Sequence, residues 1–275
     1  MTADEHNGTP RALTPAPSYD LTGKVCFMAG GTSGINQRIA ERFATAGAKV
    51  FVMSRKPEKV EATVALLREA GAESDGQAAD VRDYQAIEAA VEACADRWGP
   101  LDMVLAGQAG NFPAGAAQMS ANAFKSVIDI DLLGTFNVFR AAIHRCRRPG
   151  AVFLTISAPQ ATRPYPYQSH VCAAKAGVNM LVKCLAMEWG PVGVRVNGIS
   201  PGPIDGTEGM DRLAPNEKMR ETYRKQLALR TFGDRDDIAD AALWLCSGGA
   251  DYVTGTILEV EGGTTLGDAS SVLTF

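Results

Sequence analysis

From Leu21 onward the chain alternates short β-branched or apolar runs with longer stretches of helical period, the pattern of a parallel sheet covered by helices. The runs are 24–29, 49–54, 77–81, 103–106, 151–156, 194–199 and 256–260, which predicts seven strands. Helices are expected to begin near Ser33, Pro57, Asp83, Ala121, Tyr167 and Asp236, with Gly47, Gly71 and Gly99 placed to end the first three. The expectation is an α/β fold: a single doubly wound Rossmann domain over 21–275, its seven-stranded parallel sheet carrying helices on both faces. Residues 1–20 hold acids and three prolines, and read as a flexible arm without the basic start and apolar core of a signal peptide. The long polar stretch at about 203–232 is expected to be a substrate lid.

Composition narrows the function classes. With 46% apolar and 21% charged residues the chain can bury a core, and a net charge of -4 without a long basic stripe argues against a nucleic-acid partner. Six cysteines without a CxxC pair read as reduced thiols, and the three histidines lie at no metal-ligand spacing, so no metal is expected. No run approaches the roughly 18 apolar residues of a membrane helix, so no membrane insertion is expected.

After the first strand comes AGGTSGIN, Ala29 to Asn36, and then an amphipathic helix. Gly30 and Gly34 let the backbone turn and approach a pyrophosphate, while Thr32, Ser33 and Ile35 open a helix whose free N–H groups face the phosphates. Asn36 replaces the third glycine of the usual fingerprint, so this helix must pack on the sheet differently. The second strand ends in Ser54-Arg55-Lys56 rather than in the acid that would bind an NAD ribose. Arg55, with Ser54 beside it, suits a ribose 2′-phosphate and so NADPH/NADP, unless it is only a solvated loop arginine. Asp80 and Val81 would flank the adenine, and the stretch from Ala106 to Gly110 would pass beside its ribose.

With these pieces the chain resembles the short-chain dehydrogenase/reductase family from about Leu21 to Gly263. Further matches are Lys175-Ala176-Gly177, Arg195-Val196-Asn197, Pro201-Gly202-Pro203-Ile204, Tyr252-Val253-Thr254-Gly255 and Glu261-Gly262-Gly263. The resemblance implies that Lys175 binds the nicotinamide ribose and that Pro201, Gly202 and Ile204 pack near the nicotinamide. It also implies a homodimer or homotetramer, built on the helix carrying Ala173, Ala176 and Val178 and on the long helix before it.

The departures from the family are informative. Most members place a Tyr four positions before the lysine, a Ser thirteen before that Tyr, and an Asn on the preceding long helix; here these positions are Val171, Ala158 and Asp131. Carbonyl chemistry needs a phenol to protonate oxygen, and valine cannot serve. These departures, with Ala109-Gly110-Asn111-Phe112, FKSVIDIDLLGTFN from Phe124, Glu188-Trp189-Gly190-Pro191 and PGPIDGTEGM from Pro201, resemble the 2,4-dienoyl-CoA reductases of peroxisomal type and their bacterial relatives. The resemblance implies NADPH-dependent reduction of an acyl-CoA thioester, with hydride to the δ-carbon and a proton to the α-carbon, giving a 3-enoyl-CoA in unsaturated fatty acid β-oxidation.

Asp131 is the candidate acid. A carboxyl turned in with Phe124, Val127, Ile128, Leu132, Phe136 and Phe139 would be desolvated, which favours its protonated form; otherwise it is structural or balances Lys175. Asp129 should point elsewhere and be solvated. Asn111 or the Gly110 N–H would stabilise the thioester enolate oxygen, unless Asn111 only fixes its loop. Phe112 and Met210 would line the acyl pocket, and Arg145, Arg147, Arg148, Arg163 and Arg212 are the cations available to the coenzyme A phosphates. Two alternatives stay open: a 3-oxoacyl thioester or other carbonyl reductase using Tyr165 or Tyr167, and a catalytically inactive NADP-binding protein. The chain ends Val272-Leu273-Thr274-Phe275 rather than in a serine-lysine-leucine type signal, and a bacterial cytoplasmic location is expected.

Overall fold

A computed structural model of the chain describes residues 19–272, without the side chains of Arg212 and Leu213. Most of the expected N-terminal arm, residues 1–18, lies outside the described residues. The strands are β1 (Val25–Ala29), β2 (Lys49–Ser54), β3 (Ser74–Ala78), β4 (Met103–Ala106), β5 (Val152–Ile156), β6 (Arg195–Pro201) and β7 (Ile257–Val260). They form one sheet in the order β3-β2-β1-β4-β5-β6-β7, and every neighbouring pair is parallel.

Alternation along each strand divides the core between two faces. Phe27 and Phe51 point to the face covered by α3 (Tyr84–Trp98), α5 (Gly134–Ile143) and α6 (Ser169–Trp189). Cys26, Met28, Val50 and Val52 point to the face covered by α1 (Gly34–Thr45), α2 (Pro57–Glu69) and α9 (Arg235–Cys246). The seven-stranded doubly wound fold read from the sequence is therefore the observed one. Gly47, Gly71 and Gly99 follow α1, α2 and α3 with φ of 95°, 87° and 94°, the left-handed region in which a helix can end without steric cost.

Two details differ from expectation. The third strand is Ser74–Ala78 rather than 77–81. The apolar signal of Ala79 and Val81 comes from residues that continue past the strand into a cleft, while the strand itself is polar at the sheet edge. Gly76 is required there, because a Cβ would lie 2.6 Å from the Val52 carbonyl oxygen. Second, the long helix from Ala121 is interrupted: α4 (Ala121–Val127) passes into one wide π-type turn, Ile128–Leu133, before α5 begins. The extra residue rotates the following face, so Phe136 is exposed instead of buried while Phe139 remains inside; in α4, before the turn, Phe124 is exposed and Val127 is buried. The 203–232 segment, expected to be polar and partly helical, holds two short helices, α7 (Glu208–Leu213) and α8 (Glu217–Gln226).

Candidate active site

The sheet changes winding direction between β1 and β4, and in such folds the crevice at the carboxyl ends of the strands receives the ligand. A cleft of about 310 Å³ lies there, lined by Gly30, Thr32, Ser33, Ser54, Arg55, Asp80 and Val81 among others. Gly30 has φ 79°, and a Cβ on it would stand 2.6 Å from the Gln108 backbone nitrogen, so no other residue fits this turn. Ser33 precedes α1 without making a side-chain capping bond, leaving the helix N–H groups for an anion. Asp80 is gripped by Arg82 through Nε and a terminal guanidinium nitrogen at 2.9 and 2.6 Å, and that bond holds its carboxyl below the usual range.

The missing third glycine is compensated across the cleft. Asn36 Nδ2 donates to the Gly107 carbonyl at 2.6 Å, and a Cβ on Gly107 would collide with the Asn36 amide at 2.5 Å. Glycine has moved from the helix to the facing loop. Gln108 spends its amide nitrogen on Thr135 Oγ1 and the Ile130 carbonyl, at 3.1 and 3.4 Å. The buried Asn36 Oδ1 and Gln108 Oε1, on two residues that line the cleft, are left without partners. Lys56 and Lys59 line the same cleft beside Arg55. Of these four residues, sequence reading had noted Asn36, Lys56 and the stretch holding Gln108 without giving them a ligand role, and it passed over Lys59. The cleft thus offers cations for a phosphate and free helix N–H groups, which fits a nicotinamide adenine dinucleotide.

Other residues expected at the cofactor lie outside this lining. Gly34 turns with φ 56° and Ile35 packs toward the core. Ala106 is buried at the end of β4, where its carbonyl accepts the Thr155 hydroxyl at 2.9 Å, and Gly107 to Ala109 line the cleft instead. Pro201, Gly202 and Ile204 leave the end of β6, where a Cβ on Gly202 would meet the Glu261 backbone at 2.5 Å.

The π-type turn aims Asp131 inward, to 1% exposure. Its loosened backbone is repaired by neighbours, since Thr135 Oγ1 donates to the Asp131 carbonyl at 2.6 Å and Gln108 reaches the Ile130 carbonyl. The Asp131 carboxylate takes the Gly110 N–H on Oδ1 at 2.6 Å, and Oδ2 lies 3.2 Å from Lys175 Nζ without a hydrogen bond of its own. Lys175 Nζ also donates to the Ile156 carbonyl at 2.9 Å. The structure therefore brings Asp131, Lys175 and the Gly110 loop together. Asn111 is exposed on that loop, and Asp129 is paired with Lys125 rather than simply solvated.

Among the described residues no tyrosine hydroxyl bonds Lys175, whose partners are the Ile156 carbonyl and Asp131. Val171 is buried, and Tyr167 is exposed on a turn with φ 64°. Tyr165 is half-buried at a second cleft of about 600 Å³ with Tyr223 and Met219 of α8, and burial raises both phenols above their ordinary value. Phe112 is half-buried and packs toward Val127, Val171 and Ala174, while Met210 is buried on α7. His170, which sequence reading did not select, is fully enclosed with both ring nitrogens unpartnered, a cost of about 1–3 kcal/mol for each group. Arg145 and Arg147 bind Asp96 and Asp102 near the start of β4, the far end of the sheet from the cleft, and Arg163 bonds the Thr264 carbonyl.

The family described as enoyl-(acyl carrier protein) reductase matches residues 29–265. The chain belongs to the short-chain dehydrogenase/reductase family. It is 40% identical to the peroxisomal 2,4-dienoyl-CoA reductase of Saccharomyces cerevisiae, over 88% of this chain and 84% of that one. It is 39% identical to the Arabidopsis thaliana enzyme of the same name, over 90% and 86% of the two chains. Among solved structures, a short-chain dehydrogenase from Bacillus anthracis aligns with a TM-score of 0.79 at 32% identity, covering 88% of this chain and 96% of that one. As a short-chain dehydrogenase/reductase the protein is an oxidoreductase of a family that uses NAD or NADP. Among the described residues no helix is long and apolar enough to cross a membrane.

Proposed function

We propose that this protein reduces 2,4-dienoyl-CoA thioesters to 3-enoyl-CoA with NADPH. The observation that carries the reading is the buried Asp131 against Lys175, where Val171 and Ala158 remove the phenol and hydroxyl of carbonyl chemistry. Relatives bearing the dienoyl-CoA reductase name at about 40% identity support it.

NADPH, when bound, supplies the hydride. Arg55, Lys56 and Lys59 would hold its 2′-phosphate, the α1 N-terminus its pyrophosphate, and Lys175 its nicotinamide ribose. Hydride arriving at the δ-carbon of a conjugated thioester leaves charge delocalised toward the α-carbon and the thioester oxygen, so the proton must go to carbon. Asp131 Oδ2, next to Lys175 Nζ and without a hydrogen bond, is the atom placed to take a proton from the ammonium and pass it to the α-carbon. In this geometry both neighbours of the carboxylate are donors, so Asp131 starts as an acceptor and gains its proton during turnover. Phe112 lines the acyl group and the 203–232 segment closes over it.

The protein acts as a homo-oligomer through α6, whose Ala173, Ala176, Met180, Cys184 and Met187 form an exposed stripe. Val178, expected on that face, is instead fully buried.

Mixing purified protein with NADPH and either 2,4-hexadienoyl-CoA or acetoacetyl-CoA, and following nicotinamide absorbance, tests the reading. Oxidation of NADPH with the dienoyl thioester supports it; turnover of acetoacetyl-CoA alone, or of neither, overturns it.

A further inference from the structure

His170 opens α6 beside Val171, and neither of its ring nitrogens has a partner among the described residues. The Phe112 ring covers the imidazole with centroids 4.5 Å apart, and Phe124 flanks it at 6.5 Å. A neutral imidazole carries one N–H donor and one acceptor, and enclosing both without partners forfeits their hydration. A phenylalanine would pack against the same rings without that loss. The fold by itself gains nothing from a polar ring at this position.

The site, meanwhile, is short of a donor. When hydride reaches a conjugated thioester, negative charge grows on the thioester oxygen, and a donor aimed at that oxygen stabilises it. The Gly110 N–H, a candidate for this role, is consumed by Asp131 Oδ1 at 2.6 Å. Lys175 Nζ is held by the Ile156 carbonyl and faces Asp131. Val171 and Ala158 carry no polar side-chain atom, and Asn111 stands exposed. The one ring nearby with an unused N–H among the described residues is His170, under Phe112. The irregular segment bearing Phe112 is tied by backbone bonds, Gly110 N to Asp131 and Ala114 N to the Tyr167 carbonyl at 2.9 Å. The Phe112 ring can therefore turn about its own side-chain torsions without breaking either.

We propose that the His170 N–H is the hydrogen-bond donor to the thioester oxygen of the substrate, uncovered when the acyl group takes the place of the Phe112 ring against the imidazole. This rests on the dienoyl thioester reading above. A C–H bond forms at the δ-carbon from hydride, the γ,δ double bond shifts to β,γ, and the α,β pair moves into the enolate. The α-carbon then takes a proton from the Asp131–Lys175 pair, which solvent restores. His170 donates a hydrogen bond throughout and keeps its proton.

The test uses 2,4-hexadienoyl-CoA, ¹³C-labelled at the thioester carbonyl, bound to the NADP-loaded enzyme and read by difference infrared spectroscopy, where no turnover occurs. The wild-type carbonyl stretch is expected below its value in water, and to return upward in His170→Phe. In turnover, His170→Phe should lower kcat by about 10²–10³-fold with KM changed only a few-fold, while Tm is unchanged or higher. His170→Gln, which keeps an N–H donor, should recover part of both the stretch and the rate. An unshifted carbonyl in the wild type, the same stretch in wild type and His170→Phe, or a folded His170→Phe with near wild-type kcat would each overturn the inference alone. Failure of the wild type to bind the labelled thioester would instead bring down the dienoyl reading, and the inference with it.

Discussion

Lys175 Nζ faces Asp131 Oδ2 across 3.2 Å, and both side chains are buried. A buried ion pair is costly to form and more costly to break, because removing one member strands the other in a medium that cannot solvate it. Asp131→Ala should therefore lose about 3–5 kcal/mol of stability, measured by denaturant unfolding. Asp131→Asn, which can still accept the Gly110 N–H, should lower turnover by about 10²–10⁴-fold while NADPH affinity changes only a few-fold. Tyr167→Phe, altering an exposed side chain, should leave turnover intact. If Asp131→Asn is active and Tyr167→Phe is not, the acid has been misassigned.

The cations at the end of β2 should decide between the two nicotinamide cofactors. Each charge-assisted hydrogen bond to a phosphate is worth about 1.5–3 kcal/mol, so Arg55→Ala should weaken NADPH binding by about 10- to 100-fold. NADH, lacking that phosphate, should bind the variant as it binds the wild type. Lys59→Ala should act in the same direction with smaller effect. Fluorescence titration with both cofactors measures this, and equal losses for both would remove the 2′-phosphate from the Arg55 site.

Two thiols give an alkaline limit to stability. Burial pushes Cys94 and Cys246 up to about 12 from an ordinary thiol value of 9.0. The native state therefore holds these protons at a pH where the unfolded chain releases them, so stability is complete below about pH 9 and declines as pH rises toward 12. Cys94→Ala and Cys246→Ala variants should show a shallower decline between those limits in denaturant midpoints. In native protein iodoacetamide should leave the buried Cys26 and Cys94 unlabelled until the chain unfolds.

The exposed stripe of α6 should be the association surface. Met187 is 82% exposed and Met180 58%, two large apolar side chains on that stripe. Placing charges there by Met180→Lys and Met187→Lys should shift the protein toward monomer in light scattering, with little change in monomer stability. Wild-type protein that already runs as a monomer would refute the assignment.

By itself, the sequence determined the layered fold and its order, because side-chain periods of two and of 3.6 residues are local properties of strands and helices. The glycine turn at Gly30 and the helix-ending glycines were legible for the same reason, as was the absence of a phenol at Val171. The inward side of Asp131 was legible in the helix period, but tertiary structure decided the wide turn that carries it, since that turn depends on Thr135 and on Gln108 reaching in from another loop. It also decided that Gly110 would spend its N–H on Asp131, that Asn36 would lean on Gly107, and that His170 would lie unpartnered beneath Phe112. Those outcomes are set by which distant donors and acceptors meet. Helical and strand periodicity carries no record of such meetings.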